Sequence, residues 1–283
     1  MLCPLLSASC RLALFAAFPL LGSSLGCSST DTHPPALGDC VGEGCLPNGG
    51  SSSGGADGGA DVAVTDGSGL SDAQTASLSG SLVLLSDEFF EQPQPLLGTG
   101  TLHVPTPTGD QIIAYGADAG EAYQADSVLV GTNWFSVFPA TSPAGTTLLP
   151  YSTWSLLTVP TNGADNFDIP VVDRSMISVI YAALDTPIAA RTDAAQVVLV
   201  FRTAGQRVPG ISITQHPSCE AVAYDTGAGY STTATATSTS GVAILVNTQG
   251  AGALDWTATS GATGSFSVVF VPDQASFVAI EVP

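Results

Sequence analysis

The chain contains no lysine. Its five basic residues are all arginines, Arg11, Arg174, Arg191, Arg202 and Arg207, set against 24 Asp and Glu, for a formal net charge of −19 over 283 residues. A protein that holds nucleic acid needs a basic face to neutralise phosphates, so this balance argues against nucleic acid as a partner. The chain also offers no polybasic stretch for an anionic membrane surface. The acid excess serves solubility and self-repulsion, with the gathering of divalent cations as a lesser role. Charged residues of both signs make up only 10%, while Gly and Pro number 31 and 19. Gly and Pro are the costliest residues in a helix interior, which disfavours long helices. From residue 77 onward, the part expected to fold, a Gly-x-Ser-x-Gly elbow, a P-loop and a His-Glu-x-x-His pair are all missing. Only His103 and His216 fall in the part expected to fold, and the sequence flags no acid and nucleophile beside either. The chain is therefore expected not to be an enzyme, and no catalytic residue is assigned.

Residues 1–26 read as an export signal. Arg11 supplies a minimal positive n-region, 12–21 an apolar stretch, and Gly22, Ser23, Ser24 and Gly26 the small residues near a cleavage site. The stretch is too short to span a bilayer, and Pro19 interrupts it. Ser24-Leu25-Gly26-Cys27 resembles the lipobox of bacterial lipoproteins, with Gly26 and Cys27 in place and Ser24 where the family prefers an aliphatic residue. The resemblance implies diacylglycerol on Cys27 and a membrane partner through that lipid, several acyl chains giving stable anchorage. Ser28, in place of the Asp that favours inner-membrane retention, then implies the outer membrane or surface. A soluble secreted form cut by the general signal peptidase is the alternative.

Residues 27–76 form a tether. The tract NGGSSSGGADGGAD from Asn48 cannot bury enough apolar surface to offset its ordering entropy. About 50 residues of flexible coil span roughly 35–42 Å. Within it, Cys40 and Cys45 suit a small disulfide loop in an oxidising compartment. A zinc site is the alternative, with only His33 near as a further ligand. Cys219 is left without a partner and reads as a buried free cysteine.

From residue 77 the pattern becomes short apolar runs between turn signals. Strands are expected at 80–85, 101–104, 111–115, 126–130, 134–138, 155–159 and 166–170, then at 196–202, 210–214, 221–224, 232–239, 242–247, 254–259, 265–271 and 277–282. Residues 176–184 suit a strand or a short helix, and 185–193 reads as a connector. Many short strands with regular turns suggest sandwiches. Gly205-Gln206-Arg207-Val208-Pro209-Gly210-Ile211-Ser212-Ile213 and Thr237-Ser238-Thr239-Ser240-Gly241-Val242-Ala243 resemble the G-x-P-V-x-G-A-x-V and T-D-x-x-G-x-F/A segments of transthyretin-like domains. These include carboxypeptidase-regulatory-like and Ig-like modules. Arg207 replaces the usual Pro and Ser238 the usual Asp. The fold class expected is all-β: two tandem antiparallel Greek-key β-sandwiches, at 77–184 and 194–283, the second transthyretin-like.

Three groups of residues are candidate sites. Asp165, Asp168 and Asp173, with Asn166, offer the oxygen ligands calcium wants, against an ordinary turn. Apart from calcium, no cofactor is expected. Trp134, Tyr151 and Trp154 suit a sugar- or peptide-binding surface, against core packing. Asp87, Glu88 and Glu91 give carboxylates of the kind glycoside chemistry pairs, against a solvated loop. The expected function is a cell-envelope lipoprotein presenting non-catalytic β-sandwiches for adhesion, binding or envelope structure. The alternative is a carbohydrate- or calcium-binding accessory module of a secreted or surface enzyme system. The protein or glycan ligand is left open.

Overall fold

The computed structural model describes residues 73–116, 122–140 and 149–283, all within one compact unit. Cys27, Cys40 and Cys45 lie outside them. The first half forms β1 (Thr75–Leu85), β2 (Pro93–Pro95), β3 (Gly100–Thr106), β4 (Gly109–Tyr115), β5 (Ala122–Leu129), β6 (Gly131–Pro139), β7 (Thr153–Val159), β8 (Ile169–Val172) and the helix α1 (Arg174–Ala182). The second half forms β9 (Ala195–Thr203), β10 (Gln206–Arg207), β11 (Ile211–Gln215), β12 (Ala221–Asp225), β13 (Tyr230–Ser231), β14 (Val242–Thr248), β15 (Gly252–Ala258), β16 (Thr263–Val268) and β17 (Ala275–Glu281). The described residues are all-β apart from one short helix.

Three sheets result. The largest runs β13-β12-β14-β9-β17-β7-β6-β3-β4, with β10 beside β9. A second holds β2, β1, β5 and β8, and a third β11-β15-β16. One hydrophobic core, around Leu82, Leu102, Phe135 and Ile169, unites β1 and β8 with β3 and β6. Another, around Leu199, Phe201, Leu254 and Trp256, lies between the third sheet and the far half of the large one. These are the two sandwiches the strand pattern implies.

They are not independent of each other. The last strand, β17, lies between β9 and β7 and runs parallel to both, so the large sheet crosses the boundary expected at 184–194. The reason is visible in β9 and β14, which are apolar on both faces. Val197, Leu199 and Phe201 enter the second core, whereas Val198 and Val200 enter a third. A strand buried on both sides needs a cover on both sides. The third core gets its cover from the first half, through Leu85, Phe90, Tyr151 and the α1 residues Ile177, Ile180 and Tyr181. The sandwiches thus share a sheet and a core in place of standing in tandem. β1 and β8 are also parallel, so the sheets are not wholly antiparallel as expected.

Two local outcomes follow from side-chain chemistry. Of residues 176–184, those up to Ala182 resolve as helix because Asp173 caps α1, accepting from Ser175 N at 2.8 Å, and Ile177, Ile180 and Tyr181 stack on one face. The strand expected at 232–239 does not form. Asp185 accepts from Thr232 N at 3.0 Å and Ser231 Oγ from Thr233 N at 3.1 Å, which diverts that backbone from a ladder.

Candidate functional site: an aromatic sheet face

Alternation along β3, β6 and β7 sorts their residues to two faces of the large sheet. Leu102, Val104, Phe135, Val137 and Val159 point into the first core. The intervening residues point the other way. Register places His103 opposite Ser136, Ser136 opposite Trp154, and Trp134 opposite Leu156. The result is a strip of rings on the face away from the first core. His103 and Phe138 pack edge-to-face with centroids 4.9 Å apart, and Phe138 and Trp154 do so at 6.1 Å. Such pairs add about 0.5–1.5 kcal/mol each beyond burial, so the strip holds its shape.

The strip has a small, polar middle. Ser136, between His103 and Trp154, is only 3% exposed, so the rings lean over it. Trp154 Nε1 donates to Gln274 Oε1 at 2.7 Å, which fixes the indole plane. Thr101 Oγ1 lies 3.5 Å from His103 Nε2, and Asp110 Oδ2 lies 4.0 Å from Nδ1. At one end Trp134 packs against the second core. At the other, Ile112, opposite His103, is 60% exposed. Apolar ring area with hydroxyl, amide and imidazole groups at its margin suits a ligand that is itself part apolar and part hydroxylated, as a sugar ring is.

The sequence-level candidates separate clearly. Trp134 and Trp154 share this face. Tyr151 does not: it is 1% exposed in the third core, its phenol pushed up by burial, with the Arg174 guanidinium 4.1 Å above its ring. Arg174 in turn pairs with Asp273 at 2.6 Å. Phe138 and His103 were not among the candidates. The signal for Phe138 is the alternation Trp134-Phe135-Ser136-Val137-Phe138, which puts it beside Trp134. His103 follows the same rule between Leu102 and Val104.

Asp165, Asp168 and Asp173 do not converge. Asp165 accepts from Ser79 Oγ at 2.9 Å, Asp168 from Ser81 N at 3.3 Å, and Asp173 caps α1. Among the described residues no group of three His, Cys, Asp or Glu side chains could hold a metal ion. Asp87 accepts from the backbone N–H groups of Phe89, Glu91 and Gln92, so its carboxylate shapes a turn rather than facing a second acid. Cys219 is unpaired, with its Sγ 3.4 Å from His216 Nδ1. Burial pushes its thiol up to about 11, the reverse of an activated nucleophile.

No family model matches the chain, and no curated protein does. Among solved structures, the chain is similar to the Bacillus anthracis TIE protein at 12% identity and a TM-score of 0.23, over 74% of this chain and 34% of that one. It is similar to a streptococcal ancillary pilin at 12% identity and a TM-score of 0.21, over 72% of this chain and 68% of that one. The chain therefore spans about a third of the length of the TIE protein.

Proposed function

We propose that this is an exported, envelope-anchored protein whose fused β-sandwiches bind rather than catalyse, and that the aromatic face takes a glycan. The observation that carries the reading is the strip formed by Trp134, Phe138, Trp154 and His103 on the side of the sheet away from the first core. The export signal, the Cys27 motif and the acidic, lysine-free composition support the envelope setting. No helix of the described residues is long and apolar enough to cross a membrane. The lipid on Cys27 is the proposed anchor on the strength of the Ser24-Leu25-Gly26-Cys27 motif.

Purified protein screened on a glycan array, with calorimetry on the best ligand, tests the binding role. Trp154→Ala lowers that affinity at least tenfold while thermal unfolding is followed in parallel. Unchanged affinity removes the aromatic face from the function, and turnover of ester, peptide or glycoside substrates overturns the non-catalytic reading. Fatty-acid labelling, present in the native chain and lost in Cys27→Ala, tests the anchor.

A further inference from the structure

Three of the four arginines in the described residues are engaged. Arg174 pairs with Asp273 and Arg191 with Asp193, both at 2.6 Å. Arg207 donates to the carbonyls of Phe89, Phe90 and Ser240. Arg202 is the exception: no carboxylate among the described residues lies within 4.0 Å of it, and its Nε is buried without a hydrogen-bond partner. A buried donor left without an acceptor is unfavourable, and more so on a charged group. In a chain where acids outnumber bases 24 to 5, leaving one guanidinium unpaired needs an explanation.

Arg202 lines a cleft of about 240 Å³ at the seam between the two sandwiches. Leu85, Phe90, Pro170 and Phe277 make the apolar walls, and Glu91 and Asp168 stand among the lining residues. The cleft and the aromatic strip lie on opposite faces of the large sheet. Phe277 is paired with Ser155, whereas Trp154 is paired with Ser276 one residue earlier. Arg207, the register partner of Arg202, binds the two carbonyls of the wall that carries Phe90 and so fixes that wall's position. Its own guanidinium is held below the usual range, first by burial and then by Arg202 alongside.

We infer that this cleft binds a small organic carboxylate with an apolar body, its carboxylate paired to Arg202 and its body resting on Phe90 and Phe277. A guanidinium presents a planar fork that matches a carboxylate, and Arg202 is the one fork left open among the described arginines. Inorganic phosphate would leave the apolar walls uncovered. Since about 150 Å³ of apolar cavity accommodates benzene, the space suits a ligand of about ten heavy atoms. Glu91 and Asp168 repel an anion, so the affinity is set by Arg202 against them and responds to either sign of change.

The test is calorimetry on the purified protein with 3-phenylpropanoate, 3-phenylpropan-1-ol and inorganic phosphate. The acid binds at least tenfold tighter than the alcohol or phosphate, and Arg202→Gln removes that advantage. Glu91→Gln tightens the acid about threefold by deleting a nearby like charge, a gain that misfolding cannot produce. Equal binding of acid and alcohol overturns the proposal. So does phosphate binding as tightly as the acid, no heat from the acid up to about 10 mM, or an affinity indifferent to both substitutions.

Discussion

The carboxylate of Asp225 is buried in the second half, and its removal has a calculable cost. Asp225 closes β12 and is 1% exposed. Its Oδ2 accepts from Ser238 N and Val242 N, both at 3.0 Å, and its Oδ1 from Ser240 N at 3.2 Å. Three donors of one turn thus converge on one side chain. In Asp225→Ala, Ser238 N–H keeps its second acceptor, the Asp225 backbone carbonyl at 3.1 Å, but Ser240 and Val242 are buried. Two stranded donors at about 1–3 kcal/mol each give a loss of about 2–6 kcal/mol. In Asp225→Asn, the amide oxygen can keep the two bonds now made by Oδ2, while the NH₂ faces Ser240 N–H. One donor is stranded, at about 1–3 kcal/mol. Urea unfolding should therefore rank wild type above Asn above Ala, with a shift in midpoint at constant slope. An alanine variant within about 1 kcal/mol of wild type refutes the reasoning, because it would mean that the turn finds other acceptors.

Other perturbations separate further features. Gly241 has φ of +58°, and an added Cβ would meet Val208 O at 2.8 Å and Phe201 O at 2.9 Å. Gly241→Ala should thus cost more than about 2 kcal/mol, whereas Gly205→Ala, also at positive φ but in open space, should cost only about 1 kcal/mol. Equal losses in chemical denaturation would make the close approach irrelevant. The Cys219 thiol, raised from 9.0 to about 11, keeps its proton in the fold where the unfolded chain loses it. Above pH 9 the unfolded state therefore binds fewer protons, and stability falls as pH rises from about 9 to about 11. Cys219→Ser should make that fall shallower in a pH series of urea midpoints, most clearly between about pH 9 and 10, below the range where the buried tyrosines contribute, and an unchanged slope there would show that the thiol is not responsible.

Much of the fold was legible because alternation and apolar runs are local. Val197 to Phe201 and Val242 to Val246 read as strands from their β-branched composition alone. The turn around Gly241 was legible only in part, because the strand expected at 232–239 ran into it and does not form. What the local sequence did not reveal is that the turn amides are bound by Asp225, from the neighbouring strand. The position of β17 was not legible. Its pairing with β7 and β9 joins residues far apart in the sequence, and no local period encodes which distant strands will meet. The candidate site divides along the same line. Trp134 and Phe138 fall on one face by strand parity, but the sequence could not place Tyr151 beneath Arg174 in a core, nor Arg202 in a cleft.

The double-sided burial of β9 and β14 connects architecture to both proposed sites. A sheet covered on one side by β11, β15 and β16 and on the other by α1 and Phe90 has no free face in its far half. Only beyond β17, where β7, β6 and β3 continue the same sheet, does a face carry rings not committed to the first core. That is where Trp154 and Phe138 stand. On the opposite face β1, β8 and the Phe90 segment, all from the first half, come down over Phe277 and leave beside them the cleft that Arg202 enters. The insertion of β17 between β9 and β7 therefore does more than join two sandwiches. It sets the edge where the aromatic strip begins, and it lays the floor of the cleft with Phe277 and Ala279.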